Sequence, residues 1–195
     1  MIRLARSAGA IAMVLVFVGG CAMVAYAQWS RPAGDGDAAV AGGRYEEALA
    51  RYLDAEARFD RIAAAKELFD DDYQHVMASE LWILHRLHRY DDVLDKAQRA
   101  PESAQPHFWS GCAYFEKARA EEKPDARLAW LARAEEEFRR AVEDAPDDWD
   151  TKYDFELVSK LAAELRKQPR TPPNQLMQLL RPQPKPGAKP AKRVG

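Results

Sequence analysis

GRYEEALARYLDAEARFD, residues 43–60, places Tyr45, Ala48, Tyr52 and Ala55 three, four and three residues apart. At 3.6 residues per turn, that spacing keeps all four on one face of an α-helix. The same spacing returns in HRYDDVLDKAQRA, residues 88–100, as Tyr90, Val93, Ala97 and Ala100. It returns again in AWLARAEEEFRRAVEDAP, residues 129–146, as Leu131, Ala134, Phe138 and Ala141, with Pro146 five further on. Three copies of one spacing point to one structural unit used three times. Small residues on the shared face let paired helices approach closely, and the aromatic fills the gap toward the next unit. From Arg44 to Lys167 alanine, leucine, glutamate and arginine dominate, and no alternating β-branched run appears. The fold class is therefore all-α.

The pattern resembles the second helix of a tetratricopeptide repeat, including its terminal proline. First helices precede the second and third copies. One runs from Tyr73 to His88, with Val76, Leu81, Leu84 and Leu87 on a stripe. The other runs from Pro106 to Ala120, with Gly111 and Tyr114 three apart and proline in its first turn. After a linker opening at Glu121, Pro124 restarts a helix on which Glu135 and Arg139, and Glu136 and Arg140, make i,i+4 pairs. A last helix opens at PDDWDTKYDFEL, residues 146–157. Asp147 or Asp148 caps it, and Phe155, Leu157, Val158, Leu161 and Leu165 give it the apolar face of a terminal unit.

The flanks are different. Arg3 and Arg6 precede 24 uncharged residues that end at Arg31. A helix of that length spans about 36 Å, against about 30 Å of bilayer hydrocarbon. Tyr26 and Trp29 sit at its far end, where interfacial aromatics belong. The arginines predict a single pass through an inner membrane, with the N-terminus cytoplasmic and the body periplasmic. Ala25-Tyr26-Ala27 also suits a signal-peptidase site, and Cys21 is a lipidation candidate. Cys21 lacks the usual leucine three residues before it, and the apolar run continues through the supposed cleavage region, so an uncleaved anchor is the first reading. Residues 1–30 are thus the anchor or signal segment. Residues 31–43, rich in glycine and alanine, read as a flexible tether. Residues 44–168 are the helical-repeat domain. Residues 169–195, with their proline clusters, read as a disordered tail. Net charge is −2, yet eight basic residues and no acid follow Leu165, leaving −10 for the first 165 residues.

Candidate chemistry is sparse. His85 and His88 are three apart on one expected helix and lack a third ligand, which makes a metal-carrier role only an alternative. Asp70-Asp71-Asp72 and Asp147-Asp148-Asp150 fall at helix starts and lack the alternating oxygens and glycine turn of a calcium loop. No nucleophile with a paired base and no phosphate loop is visible, so neither an enzyme nor a cofactor is expected. Two cysteines make no disulfide framework, and Cys112 reads as a buried thiol. Helical repeats present a face to a peptide or protein. Trp82, His85, Arg86, Phe108, Phe115 and Tyr153 occupy the positions that would line it, each serving equally well as core. Leu176, Met177, Leu179 and Leu180 form an apolar island in the basic tail, a candidate docking motif. The exported body argues against nucleic acid as a partner.

WSGCAYFEKARAEE at 109–122, AEEEFRRAVEDAPDDWDTKYDFEL at 134–157 and TPPNQLMQLLRPQPKP at 171–186 resemble the MxaK family. Its members are membrane-anchored accessory proteins encoded with methanol dehydrogenase. The DDWDTKYDFEL block is also similar to the ending of repeat proteins that accompany MoxR-type ATPases and von Willebrand A proteins. The resemblance implies a role in maturing a periplasmic quinoprotein, including its calcium supply. The partners it implies are methanol dehydrogenase maturation proteins, or else MoxR and von Willebrand A components of an envelope complex unrelated to methanol.

Overall fold

The computed structural model of the chain describes residues 2–167, with side chains from Met13 onward except that of Ala63. Among the described residues there are eight helices and no strand. They are α1 (Ile2–Ala41), α2 (Tyr45–Arg61), α3 (Ala63–Leu68), α4 (Asp70–Arg86), α5 (Tyr90–Ala97), α6 (Ala104–Ala120), α7 (Pro124–Asp144) and α8 (Trp149–Lys167). Packing follows chain order: α1 lies on α2, α2 on α4, α4 on α5, α5 on α6, α6 on α7 and α7 on α8. The fold is all-α, as expected. The helix-face residues of the three copies are the core: Ala48, Tyr52, Ala55, Val93, Ala97, Leu131, Ala134, Phe138 and Ala141 are all buried.

The expected tether does not exist as a loop. α1 continues through residues 31–41 and supplies the first helix of the first hairpin. Pro32, Gly36 and Ala39, spaced by four and three, are buried against the body. Gly36 is needed there, since a Cβ on it would stand 2.9 Å from Tyr52 Cζ. The next residue, Asp37, accepts the Tyr52 hydroxyl and lies 2.9 Å from His75 Nε2. Pro32 has no N–H to offer the carbonyl four residues back. Arg58 replaces that donor: its Nη1 lies 2.7 Å from the Gln28 oxygen and 3.2 Å from that of Trp29. Composition marked this stretch as loop, and tertiary partners make it helix.

Two hairpin turns are duplicates. Gly43-Arg44-Tyr45 and His88-Arg89-Tyr90 share left-handed first residues, with φ of 70° and 58°. Arg44 N donates to Ala39 O at 2.9 Å, and Arg89 N to Leu84 O at 2.9 Å. The next bonds match too, from Gly43 to Val40 and from His88 to His85. These are the paired bonds that close a helix with a left-handed residue beyond its end. Arg44 then pairs with Glu47 at 2.8 Å, and Arg89 with Asp92 at 2.6 Å.

The third hairpin differs, joining α6 to α7 through residues 121–123, with Pro124 opening α7 as expected. Gly111 in α6 accommodates Phe138, whose ring leaves only 2.9 Å to a Cβ placed there. At the start of α8 it is Asp148, not Asp147, that caps. Its Oδ1 accepts the Asp150 amide at 3.0 Å, and its Oδ2 accepts the Thr151 hydroxyl at 2.6 Å. Of the two expected i,i+4 pairs, Glu136–Arg140 forms at 3.2 Å. Glu135 instead reaches across to Arg166 at 3.1 Å, and Arg139 turns to Glu136 and Glu143.

Candidate protein-interaction site

A row of rings, half-buried except for the fully buried Phe138 at its end, crosses α2, α4, α5, α6 and α7. Tyr45, at the start of α2, meets Trp82 of α4 edge to face at 5.7 Å. The Arg86 guanidinium, one turn along α4, stands 5.8 Å from the Tyr45 ring. His85 lies between Tyr90 at 5.5 Å and Trp109 of α6 at 5.4 Å. Trp109 touches Phe108 at 5.0 Å, and Phe108 touches Phe138 at 5.8 Å. Tyr45, Trp82, Tyr90 and Trp109 pack on one buried apolar cluster, built on α1–α5 with Ala113 of α6, and Phe108 packs on the other, built on α6–α8. The outer edges of the row are open, and Arg86 is exposed.

The row thus brings together Trp82, His85, Arg86 and Phe108 from the expected set. Phe115 is separate, lining an apolar cleft of about 470 Å³ with Ala118, Leu131, Leu161 and Leu165. Tyr153 stands 68% exposed on α8 and joins no ring among the described residues. Leu176, Met177, Leu179 and Leu180 lie outside the described residues. Tyr45, Tyr90 and Trp109 are members that sequence reasoning missed as site residues. Their places depend on neighbouring helices, although Gln105, four residues before Trp109, accepts its indole N–H at 3.1 Å.

Burial holds the His85 imidazolium in check, pushing its pKa below the usual value despite the Glu116 charge nearby. The ring is therefore neutral near pH 7. Its Nε2 is covered and has no hydrogen-bond partner among the described residues. His88 is not a second ligand on the same helix face. α4 ends at Arg86, and His88 occupies the left-handed turn with its Nδ1 2.7 Å from the Tyr90 hydroxyl. Among the described residues no group of three or more His, Cys, Asp or Glu side chains is placed to hold a metal. Asp72 is engaged by Tyr26, whose hydroxyl donates to it at 2.7 Å. Burial pushes the Cys112 thiol up to about 12, with Asp154 and Glu116 adding to the effect, so it is not a nucleophile at neutral pH.

A second feature is a polar groove of about 420 Å³ between α2, α4 and α5. Its floor is Glu80, fully buried and facing the Lys96 ammonium. Lys96 also reaches Glu56 at 2.5 Å. Neither Glu80 oxygen has a well-directed hydrogen bond among the described residues, so Lys96 holds it by charge. Burial raises the Glu80 pKa to about 7, with Lys96 opposing. The signal was present in the sequence: Glu80 lies four after Val76 and three before Ile83 on a buried stripe.

The apolar part of α1 is bare. Met13 to Val18, Met23 and Val24 are exposed, and the span Met13–Ala41 contains a window long and apolar enough to cross a membrane. Cys21 is exposed on it. The chain matches no family model, no curated protein and no solved structure.

Proposed function

We propose that the chain is a non-catalytic scaffold of tetratricopeptide-like helical pairs, held by α1 in an inner membrane with its body in the periplasm. It acts by holding partner proteins while a methanol-dehydrogenase-like quinoprotein matures and receives its calcium. The observation that carries the scaffold reading is the row from Tyr45 to Phe108. Large aromatic rings with an adjacent arginine, desolvated on one side and open on the other, are the composition of protein-binding hot spots. The duplicated Gly43 and His88 turns support the repeat reading. Arg3 and Arg6 ahead of the apolar run support the topology. The choice of quinoprotein rests on the likeness of residues 134–157 and 171–186 to MxaK proteins.

The test is a deletion strain complemented with the full chain or with a Trp82→Ala/Arg86→Ala variant. The deletion and the variant are expected to yield dehydrogenase poor in calcium and activity. Fully active, calcium-loaded enzyme in the deletion strain would contradict the maturation reading. Recovery of only an ATPase and von Willebrand A assembly with the tagged chain would replace it by the envelope-complex reading.

A further inference from the structure

We propose that the corner formed by Ile62, α3 and Phe69 lies in the membrane interface, with Ile62, Leu68 and Phe69 at the headgroup–acyl boundary of the bilayer that α1 crosses. The proposal rests on the reading of α1 as a membrane span. Height along α1 is the first argument. The apolar run ends at Ala27, ahead of Gln28, and Tyr26 stands within one turn of that end. The Phe69 ring lies 5.3 Å from the Tyr26 ring, about one helical turn at most. Phe69 is therefore level with the place where the hydrocarbon core ends.

Exposure is the second argument. Among the described residues outside α1 seven large apolar or aromatic side chains are exposed, and three of them, Ile62, Leu68 and Phe69, fall within eight residues. Leu68 is 75% exposed and Ile62 51%. Exposed apolar side chains concentrated at one corner favour an occupant, and the Phe69–Tyr26 contact, which sets the corner beside the emerging span, favours the bilayer. α3 itself is six residues long, too short to be stable alone, and among its described side chains buries only Ala65 in the core. Its counterpart after α5, residues 98–103, contains no helix. The extra turn is present only where the chain passes the membrane.

Charge defines what kind of contact this is. Arg58, Arg61 and Lys66 stand near the corner, but so do Asp60, Glu67, Asp70, Asp71 and Asp72. Lys66 pairs with Asp60 at 2.7 Å and Arg58 with Asp54 at 3.2 Å. The acids outnumber the bases, so apolar insertion holds the corner and anionic lipid is not needed.

The test uses the full chain with Cys21 and Cys112 replaced by alanine, reconstituted in vesicles of phosphatidylcholine alone. Single spin labels go on Leu68→Cys, Ile62→Cys, Phe17→Cys and Tyr153→Cys. Collisions with oxygen and with a water-soluble nickel chelate report depth. Labels at 68 and 62 are expected to show an oxygen-to-nickel ratio several-fold above that at 153 and below that at 17. A ratio at 68 equal to that at 153, with 17 still in hydrocarbon, overturns the proposal and leaves the anchor intact. Exclusion of both reagents at 68, with spin–spin broadening, also overturns it, because a second copy then covers the corner. A water-like ratio at 17 overturns the anchor reading itself.

Discussion

At the scale of single residues the fold depends on a few polar groups placed against expectation. Lys96 neutralises a carboxylate that has left water entirely, so Lys96→Met should cost about 3–5 kcal/mol, measured by urea unfolding at pH 8. Glu80→Gln removes the desolvated charge and should be close to neutral there. It should also flatten the pH dependence. Glu80 titrates at about 7 in the fold against 4.5 ordinarily, so the folded chain binds the extra proton between those values. Its contribution is fully present below about pH 4.5 and is lost as pH rises through about 7, by at most about 3 kcal/mol. The loss should be visible in the native chain and absent in the glutamine variant. Arg58 makes a different kind of contact, donating to the Gln28 carbonyl that Pro32 leaves free. Arg58→Met should speed amide hydrogen exchange over residues 33–37 and leave α7 unchanged.

At the scale of elements, the second helices were legible because small and aromatic residues recur at fixed spacing on one face. That face is buried in all three except at Tyr45, Tyr90 and Ala100, which are half-buried, Ala100 lying beyond the end of α5. The stretch 31–43 was not legible. Glycine, proline and aspartate signal a loop wherever nothing else satisfies the backbone. Here Arg58 supplies the missing donor and the Tyr52 ring fills the space above Gly36. Gly36→Ala separates the two descriptions. In a solvated helix or tether it would be harmless or gain up to about 1 kcal/mol. Against the Tyr52 ring it should cost about 1–3 kcal/mol. α8 offers a smaller test: Asp148→Ala should lose about 1 kcal/mol, while Asp147→Ala, which makes no cap bond, should not. The Glu135–Arg139 pair failed for a reason outside its own helix, since Arg166 of α8 offers Glu135 a partner across the hairpin. Half of the aromatic row was visible from helix faces. Tyr45, Tyr90 and Trp109 needed knowledge of which helices pack together.

At the scale of the molecule, α1 runs from its apolar part into the first hairpin without a loop between them, so, with α1 as the proposed membrane span, the aromatic row has a set orientation to the bilayer. The tail beyond Lys167 is expected to serve binding more than stability. Truncation there should leave the melting temperature within about 2 °C and weaken partner recovery. Scaffolding requires that the row from Tyr45 to Phe108 meet protein. The most direct measurement is photo-cross-linking of the full chain in its own membranes, with the photoreactive residue at Trp82 or Trp109 and, as control, at Leu53. Cross-links from 82 and 109 to the dehydrogenase or its accessory proteins, and none from 53, are the predicted result. Absence of any protein adduct at 82 and 109 would contradict the scaffold reading.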